Sequence, residues 1–503
     1  MLRPMSISID GHSLTLDHVT AVARRGAMVA VAPEAIARAK ASRATIERLL
    51  ASGRSIYGVN TGFGKLASVR IPDDRLRDLQ RNLIVSHAAG VGDPLPPDIV
   101  RAMMLLRANV LLRATSGVRP VVAERLIALL NAGILPVVPE QGSVGASGDL
   151  APLAHLALAL LGEGEVDVQR SRLPAKEALD AAGIALLTLE PKEGLAFVNG
   201  TQAQTAVLAL VLADAERLWH HAHVGAAMSV EALRGTPDPF DPRIHAARPH
   251  PGQVRSAALL ADLLAGSALR ESHRENDPRV QDAYSLRCTP QVYGPVADML
   301  AFARQILDTE LNASTDNPLL LGEDVVSGGN FHGQYVAMAL DTVTVALTTL
   351  AGLAERRIER LLNPDLSEGL PAFLAASPGL ESGFMMVQVT AAALVAESRT
   401  LCMPASVQSI PTGANQEDWV PMGMVAAFKA RRVLANAEHV VAAELLCAAQ
   451  ALGGATIAGP TPAPKVVAAW RAVREVVAPL TADRAPAPDL VRLRARLAGS
   501  LLA

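Results

Sequence analysis

The stretch that decides how this chain is organised is Gly142-Ser143-Val144-Gly145-Ala146-Ser147-Gly148-Asp149-Leu150, followed by Ala151-Pro152-Leu153-Ala154-His155. It places three glycines and three other small residues directly before an apolar run with helical spacing. Glycine adopts backbone conformations that a Cβ forbids, so this loop can fold unusually tightly. The sequence therefore predicts a compact loop that leads into a helix.

The tripeptide Ala146-Ser147-Gly148 can carry chemistry as well as form a turn. Because Gly148 has no side chain, its backbone nitrogen could reach the carbonyl carbon of Ala146. Ring closure with loss of two waters, one from the Ser147 hydroxyl, would leave a five-membered ring with an exposed methylidene group. That product is a strong electrophile, which no ordinary side chain supplies. The bare tripeptide also fits a flexible loop with a serine or aspartate near a helix N-cap.

The longer string from Gly142 to His155 closely resembles the signature of the aromatic amino acid ammonia-lyases, and within them most closely the histidine ammonia-lyases. In that family the triad cyclises autocatalytically to 4-methylidene-imidazol-5-one. The resemblance therefore implies this prosthetic group, formed from Ala146, Ser147 and Gly148, and no diffusible cofactor. A single motif is only a hypothesis, so the remaining catalytic positions must be found separately.

A second glycine-rich loop, Tyr57-Gly58-Val59-Asn60-Thr61-Gly62-Phe63-Gly64, matches the family segment that carries the catalytic base. The resemblance assigns that role to Tyr57. An unperturbed tyrosine titrates near ~10, so the site must stabilise its phenolate, for which nearby helix N-termini are one candidate. Taken alone, Tyr57 is a loop residue that packs its ring. The resemblance also assigns to Asn199 the orientation of the substrate and of the prosthetic carbonyl.

A substrate carboxylate needs a fixed cation, and the planar fork of arginine offers two parallel donors. The segment Gln281-Asp282-Ala283-Tyr284-Ser285-Leu286-Arg287-Cys288 resembles the family's carboxylate-binding segment. By that match Arg287 holds the carboxylate, while Gln281 and Tyr284 line the site. Without the resemblance, Arg287 fits a structural ion pair equally well. In Gly328-Gly329-Asn330-Phe331-His332-Gly333, the family match places Asn330 and Phe331 at the prosthetic group.

Two residues bear on which amino acid enters. His87 and Glu417 match the positions where histidine ammonia-lyases present a histidine and a glutamate to the substrate. A carboxylate can bind an imidazole N–H, whereas a purely apolar ring would waste its desolvation cost. This favours L-histidine, converted to trans-urocanate and ammonia. Trp419 and Pro421 depart from the familiar histidine-type pattern, and L-tyrosine-selective relatives can also carry a histidine near position 87, so tyrosine stays open.

Composition limits the class of protein. Of the 503 residues, 50% are hydrophobic and 19% are charged, which favours burial of apolar surface between subunits. The formal net charge of -3 argues against a nucleic-acid partner. Three widely spaced cysteines indicate neither a disulfide framework nor a zinc site, and we expect no metal. No signal-peptide or membrane-spanning run is evident, so the default expectation is a cytoplasmic protein with no membrane partner.

Most of the chain shows helical spacing, which predicts among others a helix from Pro97 to Leu112 and one that begins at Leu195 and reaches about Ala232. The alternation from Ser6 to Leu16 around Asp10-Gly11 predicts a small hairpin. The resemblance, from about Leu14 to Leu452, implies a mainly α fold with a long central antiparallel helical bundle and a smaller mixed N-terminal region. It also implies a homotetramer with shared active sites. We expect an N-terminal prosthetic-group domain at 1–205, a central bundle at 206–455 and a C-terminal helical segment at 456–503.

Three rival interpretations remain at this stage. A tyrosine ammonia-lyase, which would release p-coumarate, or an aromatic aminomutase would keep the chemistry and change the outcome. A non-catalytic helical scaffold would retain the fold alone, although an intact Ala146-Ser147-Gly148 together with Tyr57 and Arg287 speaks against it. Helical lyases of the fumarase type carry a glycine- and serine-rich signature loop, and no segment here resembles it.

Overall fold

The computed structural model describes residues 6–53, 55–275 and 277–501, and for residues 454–458 it describes the backbone alone. Most of these residues are helical and the strands are short, which confirms the predicted mainly α fold. The chain forms two compact units. The first comprises Met1–Ala213, Arg304–Asp341 and Pro404–Phe428; the second comprises Asp214–Ala303, Thr342–Met403 and Lys429–Ala503.

Each unit is assembled from separate stretches of the chain. The division into 1–205, 206–455 and 456–503 stays a prediction of domain organisation. Its outer limits, residues 1 and 503, lie outside the described residues.

The first unit contains the loop 142–149 together with a set of α-helices. Several begin at a proline in the first turn, where the missing N–H costs nothing. The predicted helix at Pro97 to Leu112 is confirmed with the same limits. The α-helices lying wholly in this unit are Leu16–Arg25, Pro33–Ala51, Leu76–His87, Pro97–Leu112, Pro120–Ala132, Leu150–Leu160, Ala175–Ala181 and Glu193–Val198.

The predicted N-terminal hairpin is wrong. The strand Ser6–Ile9 pairs in parallel with Met28–Val31, and the helix Leu16–Arg25 lies between them in sequence. Thr15 caps this helix by accepting a hydrogen bond from the backbone of His18, so the chain turns into a helix where a returning strand was expected. The alternating pattern correctly predicts a strand at Ser6–Ile9, but the partner of this strand lies further along the chain.

The other strands of the first unit also form small sheets. Val91–Pro94 pairs antiparallel with Pro139–Gln141, which holds the approach to the loop 142–149. A three-stranded antiparallel sheet has the order Ile134–Pro136, Glu165–Val168, Ser171–Pro174. Leu319–Leu321 and Asp324–Val326 form a hairpin.

Four long helices among the described residues contribute to both units: Gln202–Ala232, Thr289–Glu310, Gln334–Leu362 and Gly423–Ala458. The predicted helix beginning near Leu195 is divided in two, because the chain leaves helical geometry at Asn199 before the long helix starts. The α-helices wholly in the second unit are Pro242–Ala246, Pro251–Leu263, Ala268–Glu271, Tyr284–Arg287, Met385–Thr400, Pro464–Arg474 and Ala487–Arg496.

A buried polar network ties the helices of the second unit together. Arg357 and Glu444 form an ion pair whose side chains are both fully buried, and Arg357 also donates to the Tyr293 hydroxyl at 2.6 Å. Ser229 donates to Glu444 at 2.9 Å. Since a buried charge without a partner is costly, this network requires the helices to meet in one register.

In the described part of the chain, one helix, Gln334–Leu362, is long and apolar enough to cross a membrane by length and composition. Two thirds of its most apolar window, 67%, is buried inside the protein, and a core helix passes the same test. Residues such as Val336, Leu340 and Leu347 are fully buried. The absence of a membrane partner stays a prediction.

His223 in the second unit makes folding stability depend on pH. Its Nδ1 lies 2.7 Å from the Trp219 carbonyl oxygen and its Nε2 lies 2.7 Å from Ser256 Oγ. Complete burial lowers the pKa of His223 to about 3. The unfolded chain therefore takes up a proton first, near pH ~6.5, and stability present above that pH is lost as the pH falls towards 3.

We expect His223→Gln to reduce the pH dependence of the free energy of unfolding by about 1.4 kcal/mol per pH unit, because one proton fewer is taken up on unfolding. The free energy of unfolding in urea is measured between about pH 7 and about pH 4, the range over which His223 contributes to the pH dependence. The protein concentration is kept fixed. Identical slopes for the native chain and His223→Gln would contradict the assignment.

Candidate functional site

The loop that carries Ala146-Ser147-Gly148 is held against a second turn of the chain. Gly148 has φ +79° and forms an isolated parallel bridge with Gly200. A Cβ on Gly148 would lie 2.4 Å from both the nitrogen and the oxygen of Gly200, so the two backbones touch. The Asp149 amide donates to the Gly200 carbonyl at 2.7 Å, and Asn199 Nδ2 donates to the Ser147 carbonyl at 2.9 Å. The loop is therefore compressed, as its glycines predict.

Asp149 anchors this loop from inside the protein. Its side chain is fully buried, accepts from Ser143 Oγ at 2.9 Å and accepts from the Gln204 amide at 2.9 Å. Burial raises the pKa of Asp149 to about 6, and these hydrogen bonds oppose the rise. One carboxylate thus joins the start of the loop to the first turn of the Gln202–Ala232 helix.

A cavity of about 700 Å³ opens beside the loop. Of the residues predicted from the sequence, it brings together Tyr57, His87, Ser147, Asn199 and Glu417. Ala146 is buried beside the lining residue Ser147. The full lining is Tyr57, Gly62, Phe63, Gly64, Lys65, Leu66, Val69, Ile71, Leu79, Asn82, Leu83, Ser86, His87, Ser147, Leu150, Leu195, Val198, Asn199, Gly413, Ala414, Gln416 and Glu417.

Tyr57 enters the cavity from a loop that is fixed by its own side chains. Asn60 Oδ1 accepts from the Ile56 amide at 2.7 Å, and Thr61 Oγ1 accepts from the Gly58 amide at 3.2 Å. The Tyr57 hydroxyl oxygen accepts a hydrogen bond from the Gly64 amide at 3.2 Å. A backbone amide aimed at this oxygen is the kind of donor that stabilises negative charge on it.

His87 lies at the C-terminal end of the Leu76–His87 helix. Its Nδ1 is 2.8 Å from the Leu83 carbonyl oxygen, which can only accept. Nδ1 must therefore carry the proton in this bond, and in the neutral ring Nε2 is left as an acceptor.

Glu417 is held beside Ser147. Its Oε1 accepts a hydrogen bond of 2.7 Å from Ser147 Oγ, and its Oε2 accepts from Thr412 Oγ1. Thr412 and Glu417 also pair through their backbones. The glutamate is half-buried and fixed at both oxygens, unlike a solvated surface acid.

Asn330 and Phe331 lie in the turn before the Gln334–Leu362 helix, outside the lining of this cavity. That turn reaches the loop through Gly333, whose amide donates to the Gly145 carbonyl at 3.0 Å. Their proximity to the reacting atoms stays a prediction.

Trp419 and Pro421, the departures from the histidine-type pattern, are also absent from this lining. Trp419 Nε1 donates to Gln334 Oε1 at 3.2 Å. A Cβ on Gly145 would lie 3.1 Å from Pro421 Cγ, so the proline packs behind the loop.

The predicted carboxylate-binding residues Gln281, Tyr284 and Arg287 belong to the second unit. There the Arg287 guanidinium lies 4.6 Å from the centre of the Tyr284 ring, and its Nε donates to the Asp282 carbonyl at 3.0 Å. The Tyr284 side chain is exposed. Their role in binding a carboxylate at the cavity stays a prediction.

Several buried polar residues beneath the loop were missed by sequence reasoning. Lys192 and Asp316 form an ion pair at 2.7 Å with both side chains buried. Arg107 is also fully buried, and it donates hydrogen bonds to the carbonyls of Ala196 and Asn199, which lie far from it in sequence. A lone arginine within the apolar run from Met103 to Leu112 was a signal that could have marked Arg107. No group of three or more potential ligands in the described ranges is arranged to hold a metal ion.

The contact between Gly148 and Gly200 predicts an asymmetry between two glycine substitutions. Gly133 also has a positive φ, +68°, but a Cβ there would meet nothing within 4 Å. We expect Gly133→Ala to lose about 1–2 kcal/mol for the left-handed backbone alone. Gly148→Ala should lose more, because its Cβ would overlap the Gly200 backbone. Thermal unfolding of the two variants measures this, and equal losses would count against the compressed loop.

Comparison with known proteins agrees with this geometry. A profile of the family described as "Aromatic amino acid lyase" matches residues 14–475. A histidine ammonia-lyase of Anaeromyxobacter sp. (strain K) is 53% identical over 496 residues, covering 96% of this chain and 97% of that protein.

Two solved structures are similar along almost the whole chain. The histidine ammonia-lyase from Trypanosoma cruzi has a TM-score of 0.91 and 42% identity, covering 98% of this chain and 93% of that one. The tyrosine aminomutase from Streptomyces globisporus has a TM-score of 0.93 and 42% identity, with coverage of 98% and 97%. On the family match and these identities, the chain belongs to the aromatic amino acid lyase family.

Proposed function

We propose that this protein is a histidine ammonia-lyase, which eliminates ammonia from L-histidine to give trans-urocanate. The observation that carries the proposal is the single cavity in which Tyr57, Ser147 and Asn199 meet His87 and Glu417. Identity of 53% to a histidine ammonia-lyase over nearly the full length supports it. As a member of a lyase family, the protein acts on a carbon–nitrogen bond.

The residues present fit the methylidene-imidazolone group that the family implies. Gly148 has the left-handed backbone and the absence of Cβ that close approach requires. Ser147 lines the cavity, so the carbon that would become the methylidene faces the substrate space. Asn199 Nδ2 is already bonded to the Ser147 carbonyl, which would become the ring carbonyl. We therefore propose that Ala146, Ser147 and Gly148 form this group.

The reaction must remove a weakly acidic β-proton and expel a poor amine leaving group. General acid–base catalysis contributes roughly 10²–10⁴-fold, which does not suffice by itself. The methylidene-imidazolone would supply an electrophile that takes up substrate electrons. The side chains must then bind the substrate, orient it and accept the proton.

Tyr57 is the proposed base. It lines the cavity, and its hydroxyl oxygen accepts from the Gly64 amide at 3.2 Å. That donor would stabilise a phenolate without competing for the β-proton. Loop contacts from Asn60 and Thr61 hold the segment in place, so the base is positioned before the substrate arrives.

His87 and Glu417 are the proposed contacts of the substrate imidazole. His87 presents Nε2 as an acceptor, because Nδ1 is committed to the Leu83 carbonyl. Glu417 presents a carboxylate held by Thr412. The one N–H of a neutral imidazole can donate to either of these acceptors, and a protonated imidazole can donate to both. An apolar ring would leave both acceptors desolvated and unpaired.

Three further features remain proposals that rest on the family resemblance. Arg287 would hold the substrate carboxylate through its two parallel donors, with Gln281 and Tyr284 beside it. The homotetramer with shared active sites would bring these residues to the cavity. A cytoplasmic location would suit an enzyme of amino acid catabolism.

The direct test compares L-histidine and L-tyrosine with the purified protein, following the ultraviolet absorbance of the conjugated acid released. We expect urocanate from L-histidine. Ser147→Ala should lose at least about a hundredfold in turnover, because acid–base chemistry alone remains, while its assembly stays unchanged. Coumarate as the main product would show a tyrosine ammonia-lyase, and a β-amino acid would show an aminomutase. Full activity in Ser147→Ala would refute the electrophile.

Glu417→Gln tests the substrate contact separately. Losing a hydrogen bond to a charged group costs about 1.5–3 kcal/mol, so kcat/KM for L-histidine should fall roughly 10–100-fold. Turnover of L-tyrosine should fall less. Asp418→Asn removes the same charge from the exposed neighbouring residue and serves as the control. Equal losses on both substrates in Glu417→Gln would contradict the imidazole contact.

A further inference from the structure

Arg107 occupies an unusual place in the first unit. It lies in the apolar Pro97–Leu112 helix, and its side chain is fully buried. Nη1 donates to the Asn199 carbonyl at 2.7 Å and to Gln202 Oε1 at 2.5 Å, and Nη2 donates to the Ala196 carbonyl. All three acceptors are neutral oxygens that belong to one turn of the chain, 196–202.

Placing a cation there is costly. Burial lowers the pKa of Arg107 to about 10, and the nearby charge of Asp316 opposes the effect only in part. Asp316 itself is paired with Lys192 at 2.7 Å. A buried charge is weak evidence for stability, since a well-packed apolar side chain is often as stable. A positional role explains why three hydrogen bonds converge on this turn.

The guanidinium supports the turn from one side. A Cβ on Gly200 would lie 2.4 Å from Arg107 Nη1, so the backbone of Gly200 rests directly on the cation. The two carbonyls that accept from Arg107 lie at the C-terminal end of the Glu193–Val198 helix, where partial negative charge accumulates. This arrangement fixes both the position and the orientation of Asn199 and Gly200.

The opposite side of the same turn touches the loop of the proposed prosthetic group. Asn199 Nδ2 donates to the Ser147 carbonyl, and Gly200 forms the bridge with Gly148. The Asp149 amide donates to the Gly200 carbonyl. Arg107 is thus connected to the Ala146-Ser147-Gly148 backbone through two adjacent residues, Asn199 and Gly200.

We propose that Arg107 is a positioning residue for ring closure, holding the Asn199–Gly200 turn so that it compresses Ala146-Ser147-Gly148 into the closing geometry. The inference rests on the proposed function. Closure forms a bond between the Gly148 nitrogen and the Ala146 carbonyl carbon. The Ala146 oxygen leaves as water with the amide hydrogens of Ser147 and Gly148. The second water takes the Ser147 hydroxyl and the Ser147 Cα hydrogen, leaving the methylidene double bond.

The test follows water loss rather than activity. The native chain, Arg107→Met, Arg107→Lys and Arg101→Met are made by cell-free synthesis, denatured at intervals, and weighed by mass spectrometry. Arg101 is a matched control, since it lies on the same helix and also donates to backbone carbonyls, those of Val22 and Leu130. Thermal unfolding of each purified chain is recorded alongside.

We expect the native chain and Arg101→Met to lose two waters at similar rates. Arg107→Met should lose them about tenfold more slowly or less completely, because at least one hydrogen bond from a charged group is gone. Arg107→Lys should fall between, since an ammonium can reach one of the carbonyls but cannot form the planar fork. Partial rescue by lysine separates positioning from a general loss of packing.

Water loss at the native rate in Arg107→Met would overturn the inference. So would equal retention of water in Arg101→Met and Arg107→Met at matched losses of thermal stability, because that result shows a folding effect alone. If the native chain itself keeps both waters, the proposed function fails and the Arg107 inference fails with it. The native chain therefore distinguishes the two failures.

Discussion

The contact between the backbones of Gly148 and Gly200 is the constraint on which the rest of the site depends. Neither position has room for a Cβ, and the two residues come from loops about fifty positions apart in sequence, held together by the Asp149 amide and the Asn199 side chain. The positions of Ser147 beside the cavity and of the Ser147 carbonyl beside Asn199 follow from this contact. The proposed chemistry therefore begins with backbone packing and not with any one reactive side chain.

Buried polar groups maintain this packing on both sides. Asp149 joins the start of the loop to the Gln202–Ala232 helix. Arg107 donates a hydrogen bond to the carbonyl of Asn199, in the turn that contacts the loop. Burial shifts both pKa values in the direction that disfavours charge, which shows that each group is held at a cost. Costs of this kind are common where a protein maintains a geometry needed for function. By contrast, Tyr57, His87, Ser147 and Glu417, which line the cavity, are only half-buried.

Local sequence patterns predicted the helices well, because apolar spacing and first-turn prolines act within a few residues; the Pro97–Leu112 helix has the predicted limits. The N-terminal hairpin failed because Ser6–Ile9 pairs with a strand beyond the next helix, which alternation alone cannot show. Motif matching located Tyr57, His87, Ser147, Asn199 and Glu417, and the fold gathers them in one cavity. The role of Arg107 was not predicted, because most of its hydrogen-bond acceptors are backbone carbonyls about ninety residues later in the sequence, which no local pattern reveals.

The mass of one peptide tests most directly whether Ala146, Ser147 and Gly148 become the proposed electrophile. Cleavage of the denatured native protein with trypsin should release the fragment from Leu126 to Arg170, which contains the triad and has no internal lysine or arginine. We expect this fragment to be lighter than its sequence by two waters, and fragmentation in the mass spectrometer should locate the loss at residues 146–148. A fragment of unaltered mass, or a loss located elsewhere, would contradict the proposed prosthetic group.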